Sequence, residues 1–148
     1  MTARRIALAS LAAVGALALA GCAMTQSSSG RPMAAGGSMN VALTARAEVP
    51  PNASTGSGTA KLDLDGSVLK WTVTYQGLTG PVTAGHIHGP APEGANAGVV
   101  IPFSSTASPI TGSATLSPAQ LADLKAGLYY VNLHTAANPG GELRGQIK

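Results

Sequence analysis

The feature that most limits what this chain can fold into is a period-two alternation of apolar and polar residues. Val41, Leu43, Ala45, Ala47 and Val49 alternate with Asn40, Ala42, Thr44, Arg46 and Glu48. Leu62 and Leu64 then alternate with Lys61, Asp63 and Asp65, and Leu69, Trp71, Val73 and Tyr75 with Lys70, Thr72, Thr74 and Gln76. A repeat of two puts successive side chains on opposite faces of an extended strand, with one face left for a core. Turn formers separate the runs. Pro50-Pro51-Asn52 stops the first, Asp65-Gly66 reads as a hairpin, and Gly89-Pro90-Ala91-Pro92-Glu93-Gly94 and Asn138-Pro139-Gly140-Gly141 reverse the chain later.

The remaining strands follow from the same pattern. Val82 to His88 is a strand whose core residue is Ile87, which leaves His86 and His88 on the other face. Gly98 to Phe103 is a short apolar strand, and Ile110 to Leu116 reads as another short strand. Leu128 to Thr135 carries Val131 and Leu133 on one face and Tyr130, Asn132 and His134 on the other, and Leu143, Gly145 and Ile147 alternate with Glu142, Arg144 and Gln146. A single helix start interrupts the strands: Ser117 caps, Pro118 suits the first helical position, and Gln120 completes a capping box. Leu121 and Leu124 face inward, and Gly127 ends the turn. The expectation is an all-β domain, an antiparallel Greek-key sandwich or barrel, immunoglobulin-like or superoxide-dismutase-like, with one short helix.

The domain spans residues 39–148, about 110 residues, enough to bury roughly two-thirds of its surface without disulfides. Residues 1–21 read as a signal peptide, with Arg4 and Arg5, an apolar run from Ile6 to Ala20, and Gly21 before Cys22. Leu19-Ala20-Gly21-Cys22 looks like a bacterial lipobox, which makes Cys22 the lipidation site. Residues 22–38 read as a flexible Ser/Gly/Ala linker. Met24, Met33 and Met39 lie in or beside it without Met-x-x-Met clustering. Cys22 is the only cysteine, so no intrachain disulfide exists.

The charge is an artefact of the leader. Without Arg4 and Arg5 the nine basic residues become seven against six acidic ones, so the remaining chain is near neutral. No basic patch with interleaved aromatics occurs, and nucleic acid is not an expected partner. The expected location is the cell envelope after export across the inner membrane, with the lipid on the periplasmic face or the cell surface. Ala23 rather than Asp after Cys22 favours the outer membrane.

The chain has three histidines: His86 and His88 in Gly85-His86-Ile87-His88-Gly89-Pro90, and His134 in Tyr130-Val131-Asn132-Leu133-His134-Thr135. His86 and His88 are about 6.6 Å apart along one strand face. A third imidazole on a neighbouring strand completes a three-nitrogen set suited to copper or zinc. Glu142 is the candidate additional ligand, with an outer-layer role or an ion pair with Arg144 as its alternative. Glu93 is a weaker carboxylate candidate. A structural role, in which the rings hydrogen-bond loop carbonyls, is the competing reading of the histidines. Metal bonds of about 2.0 Å require ring nitrogens about 3.0–3.5 Å from one another, which separates the two.

Ala47-Glu48-Val49-Pro50-Pro51, Gly85-His86-Ile87-His88-Gly89-Pro90-Ala91, Tyr130 to Thr135 and Asn138 to Ile147 together resemble the CHRD (chordin-type) domain, found in many secreted bacterial proteins. The resemblance runs from about Met39 to Lys148. It implies a barrel comparable to copper/zinc superoxide dismutase, where His86-Ile87-His88 resembles the copper pair and His134 a late-strand copper ligand. The binuclear dismutase site needs six histidines and an aspartate, and three histidines cannot build it. The expected function is a lipid-anchored, non-enzymatic binding or structural module at the envelope, with an envelope or matrix protein as partner. The alternative is a mononuclear copper or zinc protein using His86, His88 and His134. A redox enzyme on the same ligands is the least favoured, since no general base or substrate pocket is identifiable.

Overall fold

The computed structural model describes residues 37–148; the expected signal peptide, Cys22 and the expected linker up to residue 36 lie outside the described residues. The chain forms β1 (Gly37–Thr44), a 3-10 turn (Ala45–Ala47), β2 (Ser57–Asp65), β3 (Val68–Gln76), β4 (Val82–His88), β5 (Val99–Pro102), β6 (Ile110–Thr115), α1 (Pro118–Lys125), β7 (Tyr130–Thr135) and β8 (Leu143–Gln146). The strands pair antiparallel in the order β5-β4-β7-β8-β1-β2-β3-β6. The all-β expectation holds, and the sheet curls into a nearly closed barrel with one α-helix among the described residues.

The segment between β5 and β6 joins the two free edges. Phe103 N donates to Gly85 O of β4 at 2.9 Å, while the Tyr75 hydroxyl of β3 donates to Thr106 O at 2.6 Å. Phe103 also stacks on Trp71 with ring centroids 5.3 Å apart. This connection therefore spans the gap that hydrogen-bonded strands leave open.

Alternation is plain in β1, β2 and β3, where the buried residues Val41, Leu43, Ala60, Leu62, Leu69, Trp71 and Val73 face the core and their neighbours face solvent. The β2–β3 hairpin turns at Asp65-Gly66, with Gly66 at φ 58°. At α1, Ser117 N donates to Gln120 Oε1 at 2.9 Å and Gln120 N returns to Ser117 Oγ at 3.3 Å, which is the expected capping box. Leu124 is buried and Leu121 packs against the core's edge.

Two boundaries differ from expectation. β1 begins at Gly37, and it ends at Thr44 rather than running on to Val49. Thr44 Oγ1 accepts from Ala47 N at 3.2 Å, and Glu48 N donates to Ala45 O at 3.3 Å. These bonds wind the chain into a 3-10 turn, which carries Glu48 out of the strand pattern and buries it.

β7 and β8 break the alternation in another way. Tyr130 to Leu133 are all buried, and so are Leu143, Arg144 and Gly145. Their inner face meets the core and their outer face is covered by the loops 45–56 and 89–98. Gly145 marks the close approach of β8 to β1, since a Cβ there would collide with Ala42 O.

Candidate metal centre

β4 and β7 bring the histidines together. They pair antiparallel with His86 opposite Asn132, His88 opposite Tyr130, and Ala84 opposite His134. Residues two apart, and residues paired across the ladder, share a face. His86, His88 and His134 therefore lie on the side away from Ile87, Val131 and Leu133, as the alternation predicts. They are not exposed, however: His88 is buried, with the loop 89–98 returning to it at Ala97, and the other two are half-buried.

One ring nitrogen from each histidine lies within 4.8 Å of the others. His86 Nδ1 is 3.1 Å from His134 Nε2. The ring centroids are 4.9 Å (His86–His134), 5.2 Å (His86–His88) and 5.9 Å (His88–His134) apart. One pair thus meets the spacing that a metal requires, and the other ligand atoms lie within 4.8 Å.

Hydrogen bonds fix the tautomers. His88 Nδ1 lies 3.0 Å from Ala97 O, and His134 Nδ1 lies 3.0 Å from Pro139 O. A carbonyl only accepts, so each Nδ1 carries the proton and each Nε2 carries a lone pair in the neutral ring. His134 Nε2 is then the acceptor from His86 Nδ1–H. His88 Nε2 is buried and has no hydrogen-bond partner among the described residues. The competing roles distinguished in the sequence coexist: carbonyls hold the outer nitrogens of two rings, and this aims their inner nitrogens at the cluster. Burial pushes both His86 and His88 below the ordinary histidine pKa, reinforced by the other imidazoles and, at His88, by Arg144.

A second layer supports the rings. Tyr130 stacks on His88 at 5.1 Å with the planes 5° apart, and the Arg144 guanidinium carbon sits 3.5 Å from the centre of the same Tyr130 ring. Tyr130 belongs to β7, between β4 and β8, so the aromatic ring separates imidazole from guanidinium. Arg144 is buried and donates to Ala95 O at 2.6 Å and to Asn96 Oδ1 at 2.9 Å. Ala97 N donates to the Tyr130 hydroxyl at 3.0 Å. Residues 95–97 are thereby clamped to His88, Tyr130 and Arg144 together.

Glu142 is not brought to this cluster. Expected on the outward face of its strand, it is fully buried, and its carboxylate is occupied elsewhere. Oε1 accepts from Ser54 Oγ at 2.6 Å and Thr79 N at 2.8 Å; Oε2 accepts from Thr79 Oγ1 at 2.6 Å, from Asn138 Nδ2 at 3.2 Å and from Thr135 Oγ1. Burial alone would raise this group, but the bonds from Ser54, Thr135 and Thr79 outweigh it and hold the pKa at about 2. Nor does Glu142 pair with Arg144, whose donors turn to the 95–96 loop. Glu93 forms an exposed ion pair with Lys148. Met39 is a core residue of β1.

Glu48 and Asn132 went unread in the sequence. Asn132 Nδ2 donates to the Glu48 carboxylate and to Leu143 O at 2.9 Å. Burial raises Glu48 to about 7, against the lowering influence of Asn132, Arg144 and the Val49 backbone. Glu48 stands in an alternating run and looked like an outward-facing strand residue. Only its place in Ala47-Glu48-Val49-Pro50-Pro51 set it apart.

A family model described as the CHRD domain matches residues 39–147. No curated protein and no solved structure matches the chain.

Proposed function

The chain belongs to the CHRD domain family, and from that premise we propose a lipid-anchored envelope module whose binding function is to hold one copper or zinc ion on His86, His88 and His134. The observation that carries this reading is His88 Nε2. It is a buried lone pair with no hydrogen-bond partner among the described residues, in a cluster whose ligand atoms lie within 4.8 Å of one another. Leaving such an atom unsatisfied costs stability, and a cation removes that cost.

Support comes from the outer nitrogens. Histidine ligands ordinarily donate their second N–H to a carbonyl or carboxylate, which fixes tautomer and orientation. His88 and His134 do so to Ala97 and Pro139 before any metal arrives. The donor set is imidazole alone, which suits copper and zinc, and the affinity order of divalent ions puts Cu(II) ahead of Zn(II). The anchor is Cys22, and the outer membrane is the proposed location.

Calorimetric titration of the mature protein with Cu(II) and Zn(II) tests the site. One equivalent should bind, and His88→Ala should weaken it by well over tenfold. Binding that survives His88→Ala unchanged refutes the assignment. Replacing Cys22 by Ala should release the protein from the membrane fraction.

A further inference from the structure

We propose that this site holds copper as Cu(I), and that the Arg144 guanidinium sets that preference through its fixed charge behind Tyr130 and His88. The inference rests on the metal-site reading above and adds the oxidation state and the residue that selects it.

Three observations carry it. The ligand set is electrically neutral, because the one carboxylate expected to join it, Glu142, is consumed by Ser54, Thr79, Thr135 and Asn138. A doubly charged ion would therefore sit in half-buried surroundings with no anionic ligand. Next, a cation is built in beside the site. Arg144 is 1% exposed, and one aromatic ring separates it from His88. Its donors to Ala95 and Asn96 hold it there. Finally, three nitrogens converge. Cu(II) prefers a tetragonal arrangement with more donors than this cluster supplies.

Arg144 repels a divalent ion twice as strongly as a monovalent one. From the two ring spacings its charge stands roughly 10 Å from the cluster. At an effective dielectric near 20, that distance makes each added unit of metal charge about tenfold less favourable. Glu48 faces Arg144 as the opposing charge, and burial raises it to about 7, so its charge is only partly present at neutral pH.

The test uses the mature protein, Arg144→Met and Arg144→Lys. Cu(I) affinity is measured anaerobically against a chromophoric Cu(I) chelator, Cu(II) affinity against a Cu(II) chelator, and the midpoint potential directly. The wild type should bind Cu(I) more tightly than Cu(II), with a potential above that of the free-ion couple. Arg144→Met should move the ratio about tenfold toward Cu(II), which is 59 mV for one electron. Loosening of the 95–97 clamp would weaken both states alike and leave the ratio unmoved. Arg144→Lys keeps the charge and should keep the ratio. A wild type that prefers Cu(II) overturns the inference, as does an unchanged ratio in Arg144→Met or an equal shift in Arg144→Lys. The wild-type ratio stands even if Arg144→Met does not fold. If neither oxidation state binds in a His88-dependent way, the metal site itself fails, which is a separate result.

Discussion

His86 Nδ1 lies 3.1 Å from His134 Nε2, and the proton between them belongs to His86. His134 cannot supply it from a neutral ring, because its own proton is on Nδ1, donated to Pro139 O. A cation that takes His86 Nδ1 must displace this proton to Nε2. Zn(II) binding should therefore switch the His86 tautomer while leaving His88 and His134 protonated at Nδ1. Long-range nitrogen–proton NMR spectra of the imidazoles report this directly. An unmoved His86 tautomer at saturating Zn(II) would remove His86 Nδ1 from the ligand set.

Acid should compete with the metal only below the usual histidine range. Burial, then the neighbouring charges, push His86 and His88 below 6.5. Both rings are therefore neutral at pH 7. Zn(II) affinity should change little between pH 8 and 7 and fall in more acidic solution. Metal-free stability has the same sign. The unfolded chain binds protons on these rings at pH values where the folded chain does not, so stability is lost as pH falls through 6.5 and levels off below the folded values. Chelator competition and thermal unfolding between pH 5 and 8 measure the two effects. A steep affinity loss already between pH 8 and 7 would contradict the depressed values.

The barrel and the common face of the histidines were legible because both depend on a repeat of two, which needs no knowledge of distant contacts. Ile87, Val131 and Leu133 point inward, and this alone places His86, His88 and His134 opposite them. What the outer face touches is not written in any local pattern. Arg144 and Glu142 alternate like surface residues, and only the return of residues 45–56, 77–81 and 89–98 over β7 and β8 turns that surface into a second interior. Glu48 was hidden for a related reason. Its alternation is real, but the Thr44 side chain ends the strand before reaching it.

Glu142 should prove to be a structural carboxylate and not a ligand. Its pKa of about 2 lies below the unfolded value of 4.5. Its contribution is thus present above pH 4.5 and is lost as pH falls from there toward 2. Glu142→Gln replaces one acceptor with a donor among hydroxyl and amide donors, and should cost about 1–3 kcal/mol at pH 7. It should also flatten the acid limb of the stability profile. Metal stoichiometry should remain one. Loss of Zn(II) binding by a folded Glu142→Gln protein would return Glu142 to the candidate ligands.

Glu48 has the opposite sign. Burial raises it to about 7, so between pH 4.5 and 7 the folded chain holds a proton that the unfolded chain has released. Stability from this group is greatest at the acid end of that window and declines as pH rises through it. The carboxylate is retained for its acceptor, which takes the Asn132 amide. Asn132 in turn bonds Leu143 O and sits opposite His86 in the β4–β7 ladder. Glu48→Gln keeps an acceptor oxygen and removes the titration. It should match the wild type near pH 5 and exceed it in stability at pH 8, with the metal stoichiometry unchanged. Denaturant unfolding at the two pH values decides. A Glu48→Gln protein that is weaker at pH 8 would mean that the ionised carboxylate, through its attraction to Arg144, contributes more than its burial costs.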